Sequence, residues 1–332
     1  MALEAPALLM PLQTLNPDGT PRRVGVELEM NGFTLDALAG IVAESIGARI
    51  GSRGRYERVL IGDAAGEWVI ELDFALLKQL GREHHDEETL AGGIGKSTEE
   101  VLSWLATPLV PLEVVSPPLP MARLGEVEGL IAHLHKAGAR GTSDRLVNAF
   151  GMQLNVEIPG ADADSIAAYL KAFLCLYDWL FARADIDVSR RVTSYVDPFP
   201  VDYVTRVLAP GYRPDRATLI EDYLDANPTR NRALDLLPLF LELDAPRVRR
   251  ATDDPRIKPR PAFHYRLPDC EIGRPGWGLH CAWNDWIEVE RLAADPERLS
   301  ACGARYLEIV RNPIKRLIDD WADEVERKWL AH

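Results

Sequence analysis

Arg22-Arg23-Val24-Gly25-Val26-Glu27-Leu28-Glu29-Met30 is the stretch on which the fold turns. Side chains along a strand point alternately to its two faces. Here Val24, Val26, Leu28 and Met30 fall on one face, and Gly25, Glu27 and Glu29 on the other. The spacing predicts a strand with an apolar face and an opposite face carrying two carboxylates about 7 Å apart, two residues at ~3.4 Å rise. Four further stretches alternate in the same way. Residues 66–73 set Trp68, Ile70 and Leu72 against Glu67, Glu71 and Asp73, and residues 110–115 hold Glu113 in an apolar run closed by Ser116-Pro117-Pro118. In 149–158, Phe150, Met152, Leu154, Val156 and Ile158 oppose Gly151, Gln153, Asn155 and Glu157; in 262–267, Phe263, Tyr265 and Leu267 oppose Ala262, His264 and Arg266.

Between these strands the apolar residues take helical spacing near 34–47, 97–106, 121–138, 162–182, 217–225 and 231–243, several runs opening on Thr, Ser or Asp in N-cap position. After the last strand two helices are expected. In the final one Leu307, Val310, Ile314, Leu317, Trp321 and Val325 recur at three- and four-residue steps. Residues 78–96 are charged and Gly-rich without periodicity and read as a surface loop, and 190–216 and 244–261, rich in Pro and Arg, read as irregular. The expected architecture is one α+β domain: a curved antiparallel sheet with helices on its outer face over residues 1–275, and C-terminal helices over 276–332 packed on the same domain.

The whole chain of 332 residues carries 51 acidic and 38 basic side chains, a formal charge of −13. That excess repels phosphate backbones and anionic lipid at long range, so neither nucleic acid nor a membrane is an expected partner. A metal-screened nucleotide is compatible with it. Four cysteines without a Cys-x-x-Cys pair indicate neither a disulfide framework nor a zinc knuckle, and a reducing cytoplasm fits them. The N-terminal residues do not read as a secretion signal, and no uninterrupted apolar run approaches the roughly 20 residues that span a bilayer.

Gathered on one sheet, the polar faces bring together Glu27, Glu29, Glu67, Glu71, Asp73, Glu113, Gln153, Asn155, His264 and Arg266. Several carboxylates in one place stay ionised only beside opposite charge; otherwise their pKa values rise. Oxygen-rich ligand sets favour Mg2+ or Mn2+, and Mg2+ commonly bridges carboxylates to substrate phosphates. The plainer reading is a sheet whose outer face is simply wet, where alternating charges are ordinary.

Gly25-Val26-Glu27-Leu28-Glu29, Glu67-Trp68-Val69 leading to Asp73, Glu113-Val114-Val115-Ser116-Pro117, Asn148-Ala149-Phe150-Gly151-Met152-Gln153-Leu154-Asn155-Val156 and Phe263-His264-Tyr265-Arg266-Leu267-Pro268 follow in this order. The ordered set, over roughly residues 22–270, resembles the amidoligase family, relatives of glutamate-cysteine ligase and glutamine synthetase. The resemblance implies a glutamine-synthetase-like funnel whose acidic residues hold divalent metals around ATP. It also implies ATP-dependent amide formation through an acyl phosphate, with an amino acid or peptide carboxylate as one substrate and an amine or ammonia, deliverable by a partner protein, as the other. By position it makes Glu27, Glu29 and Glu113 metal ligands, and Arg266, Asp73 and His264 catalytic. Glu67, Gln153, Asn155, Arg260 and Arg191 become cofactor contacts, with Arg190 beside them. This chain has Gln153 where the family pattern has His, and His264 where it has Glu. The second reading is therefore a member of the same fold that binds a metal nucleotide or peptide without turnover; a metal-dependent hydrolase is a third.

Other motifs carry less. Gly92-Gly93-Ile94-Gly95-Lys96-Ser97-Thr98 ends like a phosphate-binding loop, but Leu90 stands where the motif requires Gly. His84-His85-Asp86 reads as solvated, and His264, Cys270, His280 and Cys281 match no compact zinc spacing. His133 and His135 flank Leu134 and share no helix face, while Trp104, Trp179, Trp321 and Trp329 read as packing anchors.

Overall fold

The computed structural model describes residues 6–72, 111–142, 150–184, 197–312 and 320–330. They form nine strands and ten α-helices, a mixed α+β fold with antiparallel ladders. The chain divides into two compact units: Met1–Pro6, Val24–Gln153 and Asp269–His280 make the first, and Ala7–Arg23, Leu154–Pro268 and Cys281–His332 the second.

In the first unit the elements are β1 (Arg23–Met30, its first residue counted with the second unit), α1 (Leu35–Ile46), β2 (Arg49–Ser52), β3 (Glu57–Ile61), β4 (Trp68–Leu72), β5 (Leu112–Val115), β6 (Leu119–Pro120) and α2 (Leu124–Ala137). The strands lie in the order β2-β3-β4-β5-β1, with β6 also against β1. Val26, Leu28, Met30, Trp68, Ile70, Leu112 and Val114 are buried, as the alternation requires. Helix α1 begins where the Thr34 side chain accepts the Ala37 N–H and ends at Gly47, whose φ of 67° suits glycine. It buries Leu35, Leu38, Ala39 and Val42, and α2 buries Leu124, Val127, Leu130, Ile131 and Leu134. Each such side chain contributes roughly 1.5–3 kcal/mol by leaving water. The Ser-Pro motif after β5 closes the β1–β5 ladder, because the Ser116 hydroxyl accepts the Val26 N–H at 2.8 Å and donates to the Pro117 carbonyl.

In the second unit come β7 (Met152–Glu157, its first two residues counted with the first unit), α3 (Ala163–Arg183), α4 (Val201–Val207), α5 (Arg216–Ala226), β8 (Leu234–Asp235) and α6 (Leu237–Leu243). They are followed by α7 (Ala245–Ala251), β9 (Ala262–Tyr265), α8 (Leu279–Ala293, its first two residues counted with the first unit), α9 (Pro296–Val310) and α10 (Trp321–Lys328). Strand β9 pairs with both β7 and β8. Its apolar side is aromatic: Phe263 stacks on Tyr169 at 4.8 Å, Tyr265 meets Phe173 edge-on at 5.8 Å, and both touch Trp286. Beside them Arg22 is wholly buried, clamped on both carboxylate oxygens of Glu290 at 2.7 and 2.8 Å, and Glu290 also accepts the Tyr169 hydroxyl. By length and composition α3 could cross a bilayer, but it serves here as a core helix, burying Ile166, Leu170, Phe173, Leu176 and Leu180 among others.

Several expectations change. The helix expected over 231–243 is strand β8 followed by a helix from Leu237, because the Asp235 carboxylate accepts the Leu237 N–H and Pro238 occupies the first turn. The supposedly irregular 190–216 and 244–261 contain α4 and α7. The final helix is broken: α9 ends at Val310 ahead of Pro313, and α10 starts afresh under the Asp320 cap. The strand expected to reach 267 ends at Tyr265, leaving Arg266 just beyond it. The helix at 97–106, the loop at 78–96 with its glycine-rich and histidine motifs, and Trp104 lie outside the described residues.

Candidate functional site

The carboxylates of the first unit are placed by strand register. Glu57 on β3 faces Glu71 on β4, Glu71 faces Glu113 on β5, and Glu113 faces Glu29 on β1. Four acidic residues thus stand side by side across four adjacent strands. Directly opposed residues sit about 4.5–5.5 Å apart at Cα, and like charges so placed destabilise the ladder unless a cation intervenes. The neighbouring register row runs Val59, Val69, Val115 and Glu27, so Glu27 ends an apolar row whereas Glu29 ends the acidic one. The Glu29 carboxylate accepts the Gly151 N–H at 2.7 Å and the Gln153 amide at 3.0 Å. Gln153 therefore holds a predicted metal ligand. Glu67 lies one step before β4, exposed and paired with Arg53, outside the row.

As they stand, no three His, Cys, Asp or Glu side chains among the described residues converge tightly enough to enclose a metal ion. The donor set nonetheless fits a hard divalent cation, since Mg2+ needs only one or two carboxylates when phosphates and water supply the rest. Glu29 and Glu113, opposed in register, offer that pair.

The second unit builds a different row. Asn155 on β7 faces His264 on β9, and His264 faces Asp235 on β8. This face is not wet: Asn155 is 8% exposed, His264 3% and Asp235 0%. Arg260 donates to the Asn155 side-chain oxygen at 2.6 Å, and Arg266 donates to the Arg230 carbonyl at 2.8 Å. Burial and these charges shift the ionisation of the row. Burial pushes Asp235 up to about 6 against the pull of Arg266, Arg230 and Arg260. Burial, helped by the same three guanidiniums, drives His264 well below its ordinary value, so its imidazole is neutral. Burial and the charge of Arg266 likewise lower Arg230.

Of the residues expected to act, Glu29 and Glu113 are register partners with Gln153 bonded to Glu29, all in the first unit, which also holds Glu27 and Glu67. Asn155, Arg260, His264 and Arg266 belong to the second unit. Asp73, Arg190 and Arg191 lie outside the described residues. Sequence reasoning missed Glu57, Arg230 and Asp235. Asp235 was hidden in an apparently helical run, and only its place two residues before a Pro-led helix start hints at its position. Cys270 is buried and its thiol pushed up by burial, while His280 is bonded through its ring to Glu128 at 2.8 Å, both as packing groups of the first unit. A shallow groove in the second unit, lined by Leu174, Asp178, Phe199, Val204, Tyr306 and Val310, holds none of the predicted residues.

A family model described as "Putative amidoligase enzyme" matches residues 20–288. No curated protein and no solved structure matches the chain.

Proposed function

Because this chain belongs to that amidoligase family, we propose that it is an ATP- and Mg2+-dependent carboxylate-amine ligase acting on an amino acid or peptide. In the proposed reaction a substrate carboxylate oxygen attacks the γ-phosphorus of ATP, the bond to the β-phosphate oxygen breaks, and ADP leaves. An amine or ammonia then attacks the acyl carbon, inorganic phosphate departs, and the amine gives up a proton. Phosphoryl transfer of this kind asks the protein for positioning and for neutralisation of developing charge more than for a nucleophile.

The observation that carries the reading is the register of Glu71, Glu113 and Glu29 across β4, β5 and β1. Glu29 and Glu113, with Glu27 further along β1, would hold Mg2+ or Mn2+, which when bound offsets phosphate charge and orients the nucleotide. Arg266 and Arg260 would contact phosphoryl oxygens, for which a guanidinium fork is suited. The glutamine-synthetase-like funnel, with its strands curved around the nucleotide, belongs to the same proposal. Gln153 acts in it by fixing the Glu29 carboxylate.

The test is a screen of amino acids and peptides for ADP release that requires both a carboxylate and an amine. Glu113→Gln is expected to lower that release on the order of a hundredfold or more, with the fold retained. ADP release without an amine, or undiminished in Glu113→Gln, overturns the assignment. The neutral, buried His264 in place of a carboxylate favours one second reading, a nucleotide-binding protein without turnover. It predicts that Mg2+ and ATP raise the melting temperature while no ADP appears with any substrate pair.

A further inference from the structure

Strand β2 closes one end of the sheet: β3 lies on its inner side, and among the described residues nothing pairs with its outer side. Every second residue of such an edge strand turns its N–H and C=O outward, where another backbone can pair with them. The register fixes what each face of that edge carries. Arg49 stands opposite Ile61, two residues along β3 from Val59, and so shares the face of Glu57, Glu71 and the carboxylate row. Ile50 stands opposite Leu60, on the face where α1 packs and where Asp36 of that helix pairs with Arg58 at 2.6 Å. Both edge side chains are nonetheless exposed, Ile50 to 51%. Gly51, next along, leaves the backbone bare in mid-strand, a position that suits the close approach of another chain. The β2–β3 hairpin is also rich in arginine. Arg58 is engaged by Asp36, and Arg53 by Glu57 and Glu67, but Arg49 and Arg55 are exposed and have no ion pair among the described residues.

We propose that the outer edge of β2 docks an extended acidic peptide, which adds to the sheet as a further strand with its carboxylates on the Arg49 face and its apolar side chains on the Ile50 face. Main-chain hydrogen bonds hold such a strand, and alternate side chains make the contact selective. The chain's formal charge of −13 opposes an acidic ligand at long range, so its acceptance rests on Arg49 and Arg55 at contact. A second copy of the chain suits the edge less well. Pairing β2 on β2 would bring two sets of these arginines together, and like charges across a ladder destabilise it. The inference rests on the ligase reading and names its peptide substrate, although docking itself needs neither nucleotide nor turnover. An added strand stands three strand spacings from β4, about 14 Å, so roughly four or five extended residues beyond the anchor would reach the Glu71 row on the same face.

The test is fluorescence anisotropy of the full chain, without nucleotide, against a labelled octapeptide of alternating Val and Glu. It is expected to bind roughly tenfold or more tightly than the alternating Val and Lys peptide, and than a block peptide with all its Val before all its Glu. Arg49→Glu should weaken it by roughly tenfold or more, and Arg55→Glu several-fold. Only alternate N–H groups of an added strand face β2. Methylating the backbone nitrogens of the valines, or instead those of the glutamates, should therefore abolish binding in one case and spare it in the other; this comparison needs no protein variant. Equal affinity for the block peptide, equal affinities of the two methylated peptides, or binding unmoved by Arg49→Glu each overturns the proposal. An edge that binds no peptide, its arginines serving only to repel other strands, overturns it as well. Alternating-peptide binding by a chain that releases no ADP with any substrate pair would sink the ligase reading and leave this site standing. ADP release with peptides while the alternating acidic one does not bind would do the reverse.

Discussion

Arg22 is a charged side chain with no exposure at all, and its clamp on Glu290 sets what removing it should cost. A pair this deep has already lost its hydration, so its net contribution is small, while breaking it strands a carboxylate that also holds Tyr169 and Trp286. Arg22→Met is expected to lower the unfolding free energy by about 3–5 kcal/mol. Adding Glu290→Leu should restore only part of that loss, since it removes the stranded charge but leaves the Tyr169 hydroxyl and the Trp286 N–H without their acceptor. Urea denaturation of the two variants checks both statements, and an additive double variant would contradict them. Individual partners of this kind were not legible in the sequence: Arg22 opens the first strand's motif, yet nothing along the chain links it to a glutamate 268 residues away. Glu29 and Glu113 were legible as strand carboxylates because a period of two fixes the face, whereas their mutual register depends on pairing that no local pattern encodes. Asp235 escaped for a related reason, since two residues of strand inside an apolar run look helical until their partner strand is known.

Helices with a side-chain N-cap and a long apolar stripe are legible nearly to the residue, as α1 and α3 show, because both signals are local; α2, without such a cap, starts three residues later than expected but ends at Gly138 as its stripe implies. The short strands β2, β3 and β8 are not, since four or fewer alternating residues, or a pattern such as Glu57-Arg58-Val59-Leu60-Ile61, carry little periodicity and are defined by their ladders. Two glycines make the point testable. Gly129 sits in mid-helix α2, and a Cβ there would meet nothing within 4 Å. Gly129→Ala is expected to stabilise the protein by about 0.5–1 kcal/mol, by removing backbone freedom from the unfolded chain. Gly141 is the opposite case: a Cβ would lie 2.3 Å from the Cys270 carbonyl oxygen, where Thr142 clasps the same backbone through its N–H at 3.0 Å. Gly141→Ala must push two backbone segments apart and is expected to cost about 1–3 kcal/mol or more. Thermal melts should move in opposite directions for the two alanines; a shared direction would refute the packing described for that clasp.

At the scale of the molecule, the shifted carboxylates among the described residues fall into two sets with opposite effects on stability. Arg123 holds Asp63 well below the usual carboxylate range, Arg256 holds Asp254 at about 2, and Arg305 lowers Glu324. Their folded pKa values lie below the unfolded ones, so what they contribute is complete above about pH 4–5 and is lost as pH falls through the folded values. Asp235 and Asp285 run the other way, raised by burial, so the folded state binds their protons more tightly than the unfolded chain does. For Asp235, with a folded value of about 6 and an unfolded one near 3.9, the advantage of the protonated acid is present below about pH 4 and is lost as pH rises to about 7. The gap between those two values corresponds to about 3 kcal/mol. His264 opposes it, because a histidine held neutral by burial costs stability below about pH 6.5, where the unfolded chain would be charged. The wild-type curve therefore mixes the two, and a difference curve separates them. The unfolding free energy of Asp235→Asn minus that of the wild-type chain is expected to rise by about 3 kcal/mol between about pH 4 and pH 7 and to be level on either side. A difference that stays constant with pH would mean that Asp235 titrates alike in folded and unfolded chains, and the buried charge cluster of the second unit would have to be redrawn.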